Sequence, residues 1–139
     1  RRTFLDKRSA LSEHPRFMIC GLAAEGGRRS VYVHSKLMIV DGTFVTVGSC
    51  NLHYFSLYGN GEMNAAIYDE KTALGIMSEL FGEHVAEDVS GLDDVHAVRR
   101  FKAVARENRA RLQRGDADWQ GLGFTMDMPS YGERDQLAG

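Results

Sequence analysis

The sequence predicts an α/β fold in which a layered sheet is flanked by helices, and two observations support this class. Short runs rich in β-branched and aromatic residues crowd the first half of the 139-residue chain, and apolar residues at helical spacing follow them. With 43% hydrophobic and 26% charged residues, the composition is that of a globular domain. A net charge of −2 makes nucleic acid the less favoured partner.

Five strands are predicted before the helices begin. Each is a short β-rich run bounded by turn residues, and they cover residues 17–20, 30–33, 36–40, 43–47 and 65–68. Asp41-Gly42, between the third and fourth runs, is a strong hairpin signal. The third and fourth runs are therefore predicted to form a β-hairpin.

Two amphipathic helices and a tail complete the predicted elements. The first helix, capped by Asp69, carries a stripe of Ala73, Ile76, Met77, Leu80, Phe81 and either His84 or Val85. The second covers residues 94–114, ends at Gly115, and places Val98, Phe101, Ala105, Asn108 and Leu112 on one side. From Asp116 to Gly139 we expect an irregular tail anchored by Trp119, Phe124 and Tyr131. No apolar run approaches the roughly 20 residues of a membrane-spanning helix, which leaves cytoplasmic and peripheral membrane locations open.

The most informative feature is a pattern that reads H-x-K-x4-D-x6-G-S-x-N. Its six specified positions are His34, Lys36, Asp41, Gly48, Ser49 and Asn51. An imidazole can act as nucleophile or proton donor, and an ammonium group can neutralise phosphate charge. Residues i and i+2 of an extended segment project to one face, so His34 and Lys36 can reach the same phosphate. The turn formed by Gly48, Ser49 and Asn51 offers amide and side-chain donors to phosphate oxygens.

This pattern resembles the HKD motif of the phospholipase D superfamily, and all six positions match. The resemblance implies phosphodiester hydrolysis or phosphatidyl transfer through a covalent phosphohistidine, without cofactor or metal. It implies a catalytic set of His34, Lys36, Asp41 and Glu62, in which Asp41 makes supporting hydrogen bonds and Glu62 orients the imidazole. Lys36, Gly48, Ser49 and Asn51 would bind the phosphate. Phe55-Ser56 is a departure, because family members commonly carry Arg before this Ser.

The family normally builds its site from two such motifs, whereas this sequence contains one. Only 33 residues precede His34, where family members carry leading β-α-β elements, so we expect an incomplete domain. The missing half would be the N-terminal part of the same protein or a second copy in a homodimer. We divide the chain into a motif-containing half-domain, residues 1–92, and a basic helix with an irregular tail of the same unit, residues 93–139.

Leu80-Phe81-Gly82-Glu83-His84 is similar to a stretch of the larger phospholipid-hydrolysing members. This similarity favours a phospholipid substrate met at a membrane surface. Three alternatives stay open: a homodimeric nuclease of the same superfamily, a cardiolipin-synthase-like transferase, and an inactive fragment that lacks its partner half.

The remaining chemically active residues receive structural interpretations. The second helix carries Arg99, Arg100, Lys102, Arg106, Arg109, Arg111 and Arg114, and we favour a solvated face over contact with anionic headgroups or nucleic acid. Cys20 and Cys50 are interpreted as reduced, partly buried thiols. His53 is assigned to the surface, and His14, His84 and His96 do not form a metal-ligand set.

Overall fold

The computed structural model describes residue 14 and residues 17–126, and in this part of the chain it contains six strands and three helices. In chain order they are β1 Cys20–Ala24, β2 Arg29–Val31, β3 Lys36–Val40, β4 Phe44–Gly48, α1 Tyr54–Tyr58, β5 Asn64–Tyr68, α2 Glu70–Val85, α3 Asp94–Arg114 and β6 Gly123–Thr125. This mixture confirms the predicted α/β class. The proposed division after residue 92 stays a prediction.

The strands divide between two antiparallel sheets. One has the order β2-β1-β6 and the other the order β3-β4-β5. In the second sheet Lys36 pairs with Gly48, and Gly48 pairs with Asn64. The starts of β3 and β5 therefore lie beside the end of β4, which gathers three segments of the motif region at one edge of this sheet.

The hairpin between β3 and β4 confirms the prediction made from Asp41-Gly42. Both residues adopt positive φ, 51° at Asp41 and 64° at Gly42, as the tight turns of hairpins require. The Thr43 amide donates to the Val40 carbonyl oxygen at 3.1 Å. The turn thus fixes the register that places Lys36 opposite Gly48.

The limits of β1 and β2 differ from the predicted runs. The first strand begins where residues 17–20 were expected to end, and it continues through Ala24. Glu25, Gly26 and Gly27, with φ of 55°, 63° and 86°, then turn the chain back into β2. Backbone pairing sets these limits, whereas the prediction followed apolar side chains alone.

Helices α2 and α3 occupy the predicted ranges. The Asp69 carboxylate caps α2 by accepting from the Thr72 amide at 2.7 Å, as predicted. Gly115 ends α3 in the left-handed conformation with φ of 71°, also as predicted. In the part of the chain described, none of the helices is long and apolar enough to cross a membrane.

The best-buried core lies between α2 and α3. Val85, Val89 and Val104 are buried together, and Phe81 and Phe101 pack against them. The two rings stack on each other with centroids 5.0 Å apart. Helix α2 also lies close to β4 and β5, so this core supports the sheet that carries the motif.

The segment after α3 is more ordered than predicted. The irregular tail is wrong for Gly123–Thr125, because these residues form β6 and pair with β1. The buried Asn108 side chain holds this segment by donating to the carbonyl oxygens of Gln120 and Gly123, each at 2.8 Å. Trp119 packs on Phe124 with ring centroids 5.5 Å apart. Tyr131, the third predicted anchor, lies outside the described residues.

Candidate active site

Lys36 begins β3, an edge strand of its sheet, and His34 lies two residues before it. The His34 side chain is exposed, and its ring stacks on Tyr32 with centroids 5.8 Å apart and 22° between the planes. The Lys36 ammonium group donates to the backbone carbonyl oxygen of His34 at 2.6 Å. The ammonium group therefore lies beside the His34 backbone, at the end of the sheet where β4 finishes.

The Gly48–Asn51 turn follows β4 and lies against the start of β5. A Cβ atom at Gly48 would collide with the Met63 carbonyl oxygen and the Asn64 side chain, so glycine is needed here for the approach of β5. The Ser49 amide donates to the Met63 carbonyl oxygen at 3.0 Å, and the Cys50 amide donates to Asn64 Oδ1 at 3.2 Å. Because these two amides already have acceptors, the side chain of Asn51 is the more available phosphate donor in this turn.

Ser49 and Glu62 form the closest side-chain pair of the site. The Ser49 hydroxyl donates to Glu62 Oε2 at 2.5 Å and accepts from the Met63 amide at 3.1 Å. Hydrogen bonds from Ser49 and then Ser56 hold the pKa of Glu62 below its ordinary value, and the nearby Lys36 charge acts in the same direction. The result is an ionised carboxylate that fixes the Ser49 hydroxyl beside a cation.

The arrangement of the strands explains why Glu62 lies on Ser49. The last paired residues at this edge are Lys36, Gly48 and Asn64, so β4 lies between the strand that follows His34 and the strand that follows Glu62. The central strand separates the outer two by two strand spacings, about 10 Å. Among the described residues no hydrogen bond joins Glu62 to the His34 imidazole, and the predicted orienting role of Glu62 stays a prediction.

Asp41 lies at the opposite end of β3 from Lys36. Five residues of extended chain separate the two, a distance of about 17 Å. Asp41 borders a cavity of about 370 Å³ that Leu37, Ile39 and residues of α2 also line. This placement is too far from the Gly48–Asn51 turn for contact with a phosphate bound there, and the supporting role of Asp41 stays a prediction.

Two residues contribute to the local structure in ways that the sequence did not indicate. His53 is the N-cap of α1, and its Nδ1 accepts from the Phe55 amide at 3.3 Å. Ser56 is buried and supplies the second hydroxyl on Glu62, whereas Phe55 is 59% exposed. Histidine is not a preferred N-cap residue, so the sequence carried no signal for the role of His53. For Ser56 the signal available in the sequence was its place in the family's Arg-Ser pattern.

Comparison with known proteins shows the class to which this site belongs. Residues 8–84 match the family described as "Cardiolipin synthase, PLD-like domain". The chain therefore belongs to the phospholipase D superfamily, as the sequence predicted. No solved structure matches the chain significantly.

Curated relatives are enzymes of the same superfamily. Phospholipase D beta 2 of Arabidopsis thaliana is 30% identical over 105 residues, which cover 63% of this chain and 11% of that protein. Cardiolipin synthase 1 of Staphylococcus aureus is 40% identical over 82 residues, covering 58% of this chain and 16% of that protein. A cardiolipin synthase of Listeria monocytogenes is 30% identical over 81 residues, covering 58% and 17%. The chain thus spans only 11% to 17% of the length of these relatives.

Proposed function

We propose that this chain supplies one HKD half-site for phosphodiester hydrolysis or phosphatidyl transfer on phospholipids. The observation that carries the proposal is the pairing of Lys36 with Gly48. This pairing gathers an exposed imidazole, an ammonium group and the Ser49–Asn51 side chains at one edge of a sheet. Relatives named as phospholipase D and cardiolipin synthase support a phospholipid substrate.

The chemistry needs a second imidazole. In a displacement at phosphorus, one His attacks and forms a nitrogen–phosphorus bond as the phosphorus–oxygen bond to the alcohol breaks. The departing oxygen takes a proton from a general acid on the opposite side of the phosphorus. Water or an acceptor alcohol then loses a proton to that same group and displaces the His. One imidazole cannot occupy both sides, so His34 takes one role and a partner His the other.

Lys36 and Asn51 would bind the non-bridging oxygens of the phosphate, and Ser49 would join them once its hydroxyl proton, which Glu62 accepts in this structure, turns to a phosphate oxygen. Lys36 neutralises the charge that accumulates on these oxygens in the transition state. Glu62 holds the Ser49 hydroxyl at 2.5 Å and so acts as a positioning residue. Hydrolysis and transfer differ only in whether water or an alcohol enters in the second step, so the same groups serve both reactions.

The partner half would cover the apolar surface that borders the turn. Leu52, Tyr54, Tyr58 and Met63 are 93%, 68%, 77% and 82% exposed. Such a concentration of exposed apolar side chains beside a polar site is typical of an interface. We propose that the N-terminal part of a longer protein, or a second copy of this chain, covers these residues and supplies the second imidazole.

Binding of a minimal phosphodiester tests the half-site without requiring the partner. Dimethyl phosphate should shift the amide resonances of His34, Ser49 and Asn51 in a titration followed by heteronuclear NMR. Lys36→Gln should weaken this binding by on the order of tenfold, because a charged donor is lost. Lys71→Gln removes an exposed lysine of α2 as a matched control and should leave binding unchanged. Equal binding by both variants would refute the proposal.

Native mass and turnover test the need for a partner. If the purified chain has the mass of two copies, it should release choline from phosphatidylcholine, and His34→Ala should abolish the release. His96→Ala serves as the control imidazole, since His96 lies on α3 and contacts Asp93. Turnover that survives His34→Ala would contradict the proposed role of His34, whereas a monomer should bind dimethyl phosphate without turnover.

A further inference from the structure

The arginines of α3 divide between two flanks of the helix. On one flank the arginines are neutralised by carboxylates: Arg100 contacts Glu87 at 2.5 Å, Arg111 contacts Glu107 at 3.2 Å, and Arg114 contacts Glu107 at 3.3 Å. Arg111 also contacts Asp118 at 3.3 Å. These three arginines are occupied by charges of the chain itself.

The second flank carries arginines of a different kind. Arg99, Arg106 and Arg109 form no ion pair with any residue in the described part of the chain. At 3.6 residues per turn the three lie within an arc of about 80° and extend about 15 Å along the helix axis. Arg99 and Arg106 are exposed and Arg109 is partly exposed. We refer to Arg99, Arg106 and Arg109 as the arginine row.

The arginine row has a fixed orientation relative to the rest of the molecule. The opposite side of α3 is buried through Ala97, Val104, Ala105 and Asn108. Asn108 is also bonded to the segment that leads into β6. These contacts fix the rotation of α3 about its axis. The three guanidinium groups of the arginine row therefore remain directed away from the core.

We propose that the arginine row docks this chain on an anionic phospholipid surface. The proposal rests on the proposed function only in choosing a phospholipid surface among polyanions. Cations fixed along one side of a helix attract the negative headgroups of a membrane. This assignment reverses the solvated face expected for these residues from the sequence, and it applies to the arginine row alone.

The surroundings of the row favour a membrane over nucleic acid. Ala103 and Ala110, which lie beside the row on the helix surface, have small side chains that allow close approach to a flat surface. Proteins that bind single-stranded nucleic acid combine a basic groove with aromatic stacking platforms, whereas the row is convex and contains no aromatic residue.

Vesicle co-sedimentation of the full chain tests the proposal. The chain should bind vesicles of phosphatidylcholine mixed with phosphatidylglycerol, and should not bind vesicles of phosphatidylcholine alone. Replacing the row with Arg99→Gln, Arg106→Gln and Arg109→Gln should lower the partition coefficient by on the order of 100-fold. Binding should also weaken as salt is raised.

A second triple variant provides the matched control. Arg100→Gln, Arg111→Gln and Arg114→Gln remove the same charge from the same helix, but these arginines already have carboxylate partners. This variant should retain binding within about fivefold, the effect of one cation. Replacing the row with three lysines should also retain binding, and circular dichroism checks that each variant keeps its helices.

The outcomes separate docking from catalysis. His34→Ala should bind vesicles as the wild type does, so docking and turnover can fail independently. Equal losses in the two glutamine triples would overturn the proposal, because net charge alone would then explain binding. Failure of the wild-type chain to bind anionic vesicles would also overturn it. Row-dependent binding to duplex DNA, without binding to vesicles, would replace the membrane with nucleic acid and overturn it as well.

Discussion

Replacing Asn108 tests how the segment after α3 is held in place. The Asn108 side chain is 1% exposed and donates to the carbonyl oxygens of Gln120 and Gly123 at 2.8 Å each. It also accepts from the Gln120 amide at 3.2 Å. Asn108→Leu keeps a side chain of similar volume but removes all three hydrogen bonds.

The expected loss of stability depends on how deeply the former hydrogen-bond partners of Asn108 are buried. The two Gln120 groups are only partly buried, so water can replace Asn108 there and each bond costs about 1 kcal/mol. The Gly123 carbonyl oxygen lies in a buried bond, and leaving it without a donor costs about 1–3 kcal/mol. The free energy of unfolding should therefore fall by about 3–5 kcal/mol, a large part of the 5–15 kcal/mol typical of a domain.

Urea unfolding followed by circular dichroism measures this loss. Asn60→Ala is the control, since Asn60 is exposed and its substitution should change stability by less than about 0.5 kcal/mol. A loss below about 1 kcal/mol in Asn108→Leu would refute the reasoning, because the site would then depend on side-chain volume and not on hydrogen bonds.

Three further predictions concern the site and the thiols. Ser49→Ala should raise the pKa of Glu62 toward its ordinary value of 4.5, as carbon NMR would show. Because folding lowers the pKa of Glu62, the stability gained from its carboxylate is present above the ordinary pKa and is lost as the pH falls through the folded-state pKa. An unchanged pKa would exclude Ser49 as the main cause. Gly48→Ala should lower the free energy of unfolding in urea by about 2 kcal/mol, because its Cβ would collide with the start of β5. Gly75→Ala is the control and should stabilise α2 slightly, because a Cβ at Gly75 meets nothing within 4 Å. Equal effects of the two substitutions would contradict a collision at Gly48. Burial raises the pKa of Cys20 to about 11, so about one thiol in a thousand is ionised at pH 8. The reaction of Cys20 with a disulfide reagent should therefore be slow. Rapid labelling of a variant in which Cys20 is the sole cysteine would contradict this prediction.

Elements with local signals were predictable from the sequence. Helix α3 has its apolar stripe within its own residues and its N-cap and Gly115 directly beside its ends, and its observed range matches the predicted one. The hairpin at Asp41-Gly42 is local in the same way, because the turn residues themselves require positive φ. The H-x-K spacing is also local, since two residues of extended chain are enough to define it.

Features that depend on distant residues were not predictable. Strand β6 is only three residues long, too short for an alternating pattern, and Asn108 and β1 define it from elsewhere in the chain. The division into two sheets has the same origin, because a β-rich run indicates a strand without naming its partner. The Ser49–Glu62 pair depends on the pairing of β4 with β5, which sequence spacing alone does not reveal.

The position of Glu62 also bears on how His34 would be prepared for attack. A nucleophilic imidazole needs one nitrogen unprotonated, and a hydrogen bond to the other nitrogen selects that tautomer. Tyr32 stacks on the ring and so restrains its plane, but stacking engages neither nitrogen. Within the described residues, neither nitrogen of His34 has a hydrogen-bond partner. If His34 is the nucleophile, its tautomer would be selected by Glu62 once that carboxylate exchanges Ser49 for the imidazole, or by an acceptor on the proposed partner half. A single partner surface that carries both an acceptor and an imidazole would complete the half-site in one association step.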